Sequence, residues 1–481
     1  MPKGRYWLET LGCPKNQVDS DKLAWVLEAD GFARSLAPEQ ADLVVVNTCA
    51  FIEAARQESI GAVLELAAVR RPGARLVVTG CMAERYGEEL AAALPEVDLV
   101  AGFGRRPAPF DRTASRPPPA PSAPVALVAR RGRRRPPDAG SFDLDLLSLP
   151  RPASVVPWAY VKVAEGCDRR CGFCAIPSFR GPQRSRPPAE VLAEVRSLAA
   201  DETMPVREVV LVAQDLSSYG RDRGTVRRGE AGGSARRSPL VSLVEAVAAI
   251  VPRTRLLYLY PSGLTDELVD AVLATGVPYF DLSLQHVSRP LLARMRRWGD
   301  GERFLERIEA IRRSEPRATF RSSFILGYPG ETEEDHDALL AFLDAAQLDW
   351  AGFFAFSKEA GTYAAALDRQ VPAPLALERL RECAEVQDAI SASRRDALVG
   401  EVREVLVDAP GRGRTVHEAP EIDGVVRLPA TLEVGALADV VLTASLGTDL
   451  VGEPLAGSSP ATGPLAGSSP GSTCSIEGRA R

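Results

Sequence analysis

Long apolar runs are what the sequence most plainly lacks. Nowhere in its 481 residues is there a stretch long enough to cross a membrane, and the opening residues Met1-Pro2-Lys3-Gly4-Arg5-Tyr6-Trp7 have no apolar core of the kind that directs export. A cytoplasmic protein with no membrane partner is the expectation. An excess of one charge is missing too. With 58 basic residues against 64 acidic ones the net charge is −6, which excludes a chain built as a whole to grip nucleic acid and leaves only local contacts. Eight cysteines are present, but without an export signal metal or redox use is a stronger reading than a disulfide framework. At this length two or three domains are expected.

Three of the cysteines, Cys167, Cys171 and Cys174, stand at C-x3-C-x2-C just after the apolar run Tyr160-Val161-Lys162-Val163. Thiolates at this spacing suit three irons of a 4Fe-4S cube, because the loop can bend back on itself and Gly172 removes bulk between the second and third ligands. The fourth iron is then open to a small molecule. Structural zinc is the alternative, but zinc favours paired C-x2-C units and four ligands. No second pair lies nearby, and no histidine lies within a hundred residues.

Earlier in the chain one unit recurs: an apolar strand, a cysteine at or just past its end, then a helical pattern. Arg5 to Leu11 leads to Cys13, Leu43-Val44-Val45-Val46-Asn47-Thr48 to Cys49, and Leu76-Val77-Val78-Thr79-Gly80 to Cys81, with helices over about 17–29, 53–70 and 83–93. Unbroken Val/Leu runs alternating with helices predict a parallel sheet covered on both faces, whose carboxyl edge forms the ligand crevice. Three equivalent cysteines at that edge favour a second cluster over three buried small hydrophobes.

The domains divide as follows. Residues 1–103 form the amino-terminal parallel α/β domain, and 104–153 a linker; Gly104 to Gly140 holds nine prolines and nine arginines in 37 residues. Over 154–397 six strand candidates (158–163, 207–213, 255–260, 279–284, 318–326 and 350–356) alternate with helices, which predicts a partial, open (β/α)6 TIM-like barrel with its site at the carboxyl ends of the strands. Its Arg/Gly-rich segment 221–238 reads as a solvated loop. The helix over 373–397 packs Cys383. Residues 398–445 show short strands separated by turns, Glu404-Val-Leu-Val, Gly411-Arg-Gly-Arg, Ile422-Asp-Gly-Val-Val and Ala438-Asp-Val-Val-Leu, a small all-β barrel. The tail, 446–481, repeats Pro-Leu-Ala-Gly-Ser-Ser-Pro from Pro454 and from Pro464, and Cys474 within it is no ligand candidate. The class is α/β with a terminal β module.

These motifs together resemble a known family. The spacing of Cys167, Cys171 and Cys174 is similar to that of the radical S-adenosylmethionine (SAM) enzymes. Thr10-Leu-Gly-Cys13-Pro-Lys-Asn-Gln-Val-Asp-Ser20, Asn47-Thr48-Cys49 and Thr79-Gly80-Cys81 resemble the amino-terminal domain of the methylthiotransferases among them, and the terminal barrel resembles a TRAM domain. The resemblance implies two 4Fe-4S clusters, an auxiliary one on Cys13, Cys49 and Cys81, and a catalytic one on Cys167, Cys171 and Cys174 that cleaves SAM to a 5′-deoxyadenosyl radical. A SAM carboxylate and ribose want guanidinium, amide and N–H partners, which makes Gln214, Gln285 and Arg321 the cofactor-binding candidates, each equally readable as a satisfied polar residue of the barrel interior. His286 reads as structural or substrate-facing, since a radical needs no histidine base. Where the family has Asp-x-Pro-Leu-Gln-His this chain has Asp281-Leu-Ser-Leu-Gln-His286, and Ser283 in the proline's place is expected to loosen the strand.

Within the methylthiotransferases, Leu11 to Ser20 and Glu418-Ala-Pro-Glu-Ile-Asp-Gly424 look like the branch that modifies a ribosomal protein. In the terminal barrel Glu401, Glu404, Asp408, Glu418, Glu421, Asp423, Glu433 and Asp439 face only Arg403, Arg412, Arg414 and Arg427, a balance that suits a basic protein better than RNA. The resemblance implies methylthiolation of the β-carbon of an aspartate in small-subunit ribosomal protein twelve, held through the TRAM domain, with contact to the ribosome, by a monomer. Two alternatives stay open: methylthiolation of isopentenyladenosine in tRNA, and a zinc-stabilised ribosome-binding module without catalysis.

Overall fold

The computed structural model describes residues 2–107, 144–223 and 237–455. The Pro/Arg run of the linker from 108 to 143, residues 224–236 of the Arg/Gly loop and the repeat tail from 456 lie outside them.

The first domain is a five-stranded parallel sheet in the order Phe32–Arg34, Gly4–Thr10, Leu43–Thr48, Arg75–Gly80, Leu99–Val100. Leu43 to Val46 are fully buried because helices cover both faces. Ile60, Val63 and Leu90 pack on one side, and Ala24 and Leu27 on the other. The register sets the cysteines level. Thr10, Asn47 and Thr79 lie abreast, and Cys13, Cys49 and Cys81 follow them by three, two and two residues. The last residues assigned to the linker, beyond its Pro/Arg run, are docked: Lys22 Nζ donates to the carbonyls of Leu147 and Leu149 at 3.1 and 2.7 Å.

The second domain has the six expected parallel strands, Trp158–Lys162, Glu208–Val212, Arg253–Leu256, Tyr279–Gln285, Thr319–Leu326 and Trp350–Ala355. They form two three-stranded sheets rather than one. A single bridge, Leu259 to Leu282, joins them. There Leu259 N–H donates to Asp281 O at 3.0 Å, and Ser283 N–H to Leu259 O at 2.9 Å. The expectation that Ser283 loosens the strand is therefore reversed: its N–H, which a proline lacks, helps to stitch the halves together. Helices pack outside the strands, and Cys383 of Ala373–Asp396 is fully buried among them. Helix starts follow the sequence; Thr332 caps Glu333–Ala346 and exchanges bonds with Asp335 in a capping box.

An open barrel leaves its lumen exposed unless something fills it. Val18 of the helix Pro14–Ala29 and Ala419 of the terminal module share one apolar cluster with Tyr160, Val210, Val212, Leu257 and Tyr279.

The terminal module is a closed five-stranded barrel, Val402–Ala409, Arg412–Arg414, Val426–Arg427, Leu437–Leu446 and Asp449–Pro454. Its last strand lies beyond residue 445, the boundary expected from sequence, and Ile422-Asp423, expected in a strand, belongs to a loop that enters the barrel of the second domain. Tyr160 Oη donates to Pro420 O at 2.7 Å and Tyr279 Oη to Asp423 at 2.6 Å. The seam is ionic and buried. Arg414 grips Asp408 with two bonds of 2.6 and 2.9 Å and reaches Glu208 at 2.9 Å, while Arg255 holds the other Glu208 oxygen at 2.7 Å. Asp408, Glu418 and Asp423 are thus spent inside the protein, on Arg414, Arg395 and Arg321. The acidity counted from sequence overstates what the module offers a basic partner.

Burial raises the Glu208 carboxyl, but Arg255, Arg414 and Arg253 outweigh it and hold it at about 2. Glu208 therefore binds protons more readily unfolded than folded, and its contribution is full above the ordinary value of 4.5 and fades as pH falls toward about 2. Arg414→Met, which leaves Glu208 and Asp408 short of a cation, is expected to cost about 3–5 kcal/mol in urea unfolding near neutral pH. The difference between variant and parent is expected to shrink as pH falls through that window.

Candidate functional site

Cys13 is the N-cap of Pro14–Ala29, Cys49 follows Leu43–Thr48 directly, and Cys81 opens Cys81–Ala93. Gly12 lets them converge. Its φ is +94°, and a Cβ there would lie 2.8 Å from the Cys49 Cβ and 2.9 Å from its Sγ. Asn16 closes the group from the helix side. Its amide donates to the carbonyls of Leu11 and Thr48 at 2.9 and 3.2 Å, and its Oδ1 stands 3.7 Å from Cys81 Sγ. Burial raises the Cys13 thiol, but Lys15, Arg180 and nearby backbone N–H groups bring it below its ordinary value. Cys49, deeper and repelled by the charges of Cys81 and Cys13, is pushed up to about 12. The three thiols feel one another, and two cations face them.

The second trio occupies the loop after the first barrel strand. Gly172 N–H donates to Met295 O and its carbonyl accepts from Ala364 N–H, both at 2.8 Å. A Cβ on Gly172 would come 2.7 Å from Tyr328 Oη and 3.0 Å from the Tyr363 ring. Arg169 N–H donates to Cys167 Sγ at 3.4 Å and Arg297 to Cys171 Sγ at 3.3 Å, while the two guanidinium groups lie over the Tyr260 ring at 3.8 and 4.3 Å. Burial pushes Cys167 up to about 11 and Cys174 to about 12.

Between the trios runs a chain of buried charge. Lys162 binds Asp19 and, at 2.6 Å, Glu165; Arg180 binds Glu165 at 2.8 Å and stands 3.3 Å from Asp19. Burial raises Glu165, but Arg180 and Lys162 hold it well below the usual carboxylate range. Gln214 donates to Glu165 Oε1 at 2.7 Å, and its own Oε1 is buried with no partner among the described residues. Gln285 sits at a bulge with φ +74°. Both stand at the carboxyl ends of their strands, and Gln214 meets the cysteine loop through Glu165; an unpaired buried acceptor and a strained backbone at this rim fit a polar cofactor.

Arg321 is not brought there. It is committed to Asp281 at 3.2 Å and Asp423 at 3.4 Å, inside the barrel. His286 is fully buried, its Nδ1 accepting from Ser288 N–H at 3.1 Å, and burial lowers its pKa to about 4, which keeps the ring neutral near neutral pH. Sequence reasoning missed Glu165, Arg180, Lys15 and Arg297. Glu165 and Arg180 flank the second cysteine motif and Lys15 follows Cys13 by two residues, so these three could have been found there; nothing local marks Arg297. Among the described residues no group of three or more His, Cys, Asp or Glu side chains is gathered as around a single metal ion. A cleft of about 540 Å³ opens between Ile52-Glu53-Ala54, just past Cys49, and Phe353 to Lys358 on the last barrel strand and beyond.

Three family models match: the Uncharacterized protein family UPF0004 over residues 5–102, the Radical SAM superfamily over 161–343 and the TRAM domain over 399–455. Curated relatives match nearly end to end. The Ribosomal protein uS12 methylthiotransferase RimO of Streptomyces coelicolor is 41% identical over 95% of this chain and 98% of its own. The RimO of Cutibacterium acnes is 42% identical over 93% and 97%, and that of Moorella thermoacetica 41% over 87% and 91%.

Gly12→Ala and Gly172→Ala each force a side chain into its trio's supports. In metal-free protein each is expected to speed alkylation of its own trio and not of the other, read by peptide mass spectrometry.

Proposed function

The chain belongs to the RimO family of ribosomal protein uS12 methylthiotransferases within the radical SAM superfamily, and from that premise we propose that its acceptor is the β-carbon of an aspartate in uS12. Cys167, Cys171 and Cys174 hold the 4Fe-4S cluster that engages SAM, and Cys13, Cys49 and Cys81 hold a second. When bound, the first cluster and SAM supply the radical that takes a hydrogen atom, and the second supplies sulfur that another SAM methylates. Such a C–H bond is not acidic, so no tuned base could replace the radical.

The observation that carries this reading is that one ionic chain, Asp19, Lys162, Glu165 and Arg180, runs from Cys81 of the first trio to Glu165, two residues before Cys167 of the second. A tie between two sites suits a reaction that needs both. The chain's own groups then have distinct tasks. Lys15 and Arg180 balance thiolate charge at the auxiliary trio, and Arg169 and Arg297 donate to the sulfurs of Cys167 and Cys171. Gln214 and Gln285 orient SAM at the rim. The cleft beside Ile52 admits the acceptor segment, and the TRAM module contributes to holding the ribosomal protein through its outward acids Glu433 and Asp439. No helix among the described residues is long and apolar enough to cross a membrane. The proposed acceptor itself places the enzyme, a monomer in this reading, in the cytoplasm at the ribosome.

Anaerobically reconstituted protein is expected to bind roughly eight irons per chain, falling by about half in Cys13→Ala or Cys171→Ala. With SAM and a reductant it is expected to add one methylthio group to one aspartate of uS12, and Cys171→Ala to abolish this, as read by mass spectrometry. A gain on isopentenylated tRNA and none on uS12 would overturn the acceptor.

A further inference from the structure

Arg180 bonds both to a thiol of the amino-terminal trio, Cys81, and to Glu165, two residues before Cys167. It ends the short helix Ile176–Arg180, which starts two residues after Cys174, and its side chain is only 3% exposed. One terminal nitrogen, Nη2, donates to Cys81 Sγ at 3.1 Å and to Asn16 Oδ1 at 2.8 Å. The other, Nη1, donates to Glu165 Oε1 at 2.8 Å and to Asp19 Oδ2 at 3.3 Å. Phe103 closes the group from one side, 4.4 Å beneath the guanidinium. Half of the fork therefore serves the amino-terminal thiol, and the other half serves a carboxylate two residues before Cys167 that also receives Gln214.

We propose that Arg180 is the positioning residue that holds the sulfur-donating centre in register with the SAM site and raises the reduction potential of that centre. The inference rests on the two-cluster reading above. An N–H donated to a ligand sulfur and a buried positive charge beside it both stabilise the reduced, more negative cluster. The planar fork matters as much as the charge. A guanidinium reaches two groups at fixed angles, whereas an ammonium on a flexible stem is one point charge and must leave either Cys81 or Glu165. Arg180→Lys therefore keeps the charge and breaks the register, while Arg180→Gln removes the charge and leaves Asp19 and Glu165 with Lys162 alone.

Two preparations test this separately from the cluster assignment. In a Cys167→Ala/Cys171→Ala/Cys174→Ala background the auxiliary trio alone is loaded with iron, and its midpoint potential is measured by EPR-monitored titration. If that background with Arg180 intact holds no iron, the two-cluster reading falls, and this inference falls with it. If iron is held, Arg180→Gln is expected to lower the potential, a tenfold change in the one-electron equilibrium being 59 mV. In the full protein, Arg180→Lys is expected to lower the methylthio product formed per 5′-deoxyadenosine released by at least tenfold. Melting curves and far-UV circular dichroism accompany both. An unchanged potential and an unchanged ratio would overturn the proposal. So would loss of fold in both variants, because Arg180 would then be an ordinary structural ion.

Discussion

Four charges largely shielded from water tie the first domain to the barrel: Asp19, Lys162, Glu165 and Arg180. Each comes from a different place, the helix behind Cys13, the first barrel strand, the entrance to the second cysteine loop and the helix that leaves it. An ion removed from water costs several kcal/mol unless its partner is close and its remaining bonds are met. These four satisfy one another only when the amino-terminal domain sits on the barrel as it does. The placing of the cysteine trios relative to one another thus draws on electrostatics at this joint.

A second ionic tie works at the same joint. Glu359, buried past the last barrel strand, receives Arg56 at 2.6 Å and Arg85 at 2.7 Å, both from helices of the first domain. Beneath the barrel, Glu208 and Arg414 do the same for the terminal module. The three domains meet mainly through buried charge and only partly through apolar surface, the lumen cluster around Val18 and Ala419 being the chief exception. Charge of this kind adds little net stability over a well-packed apolar seam, but it penalises every misaligned arrangement heavily. For a protein that must align two reactive centres, orientation is worth more than adhesion.

Much of this was legible in the sequence, and what was not has a common cause. The cysteines could be placed because strand, cysteine and helix are contiguous, so local pattern carries the geometry. The six barrel strands came through within a few residues for the same reason. Arg321 was misplaced because its strand position puts it in the lumen, while its partner Asp423 lies 102 residues later, in a loop that reads as a strand. The acidity of the terminal module was counted without Asp449 and Glu453 of its last strand and interpreted too generously, since composition cannot tell an acid facing solvent from one facing Arg395 or Arg414. Ser283 shows the reverse error. Judged as a missing proline it looked like a weakness, but its N–H is used across the bridge between the two half-barrels.

The loop around Ala419 and Asp423 has an evolutionary consequence. Accessory modules are commonly imagined as cassettes that can be added, lost or traded between enzymes that share a catalytic core. Here the module's loop is a stopper in the core's own interior, bonded to Tyr160, Tyr279 and Arg321. A replacement carrying another surface would have to bring the same stopper, or the recipient barrel would need new residues at those positions. Change of partner in this lineage is therefore confined to the module's outer face, and the lumen and the stopper must descend together as one inherited unit.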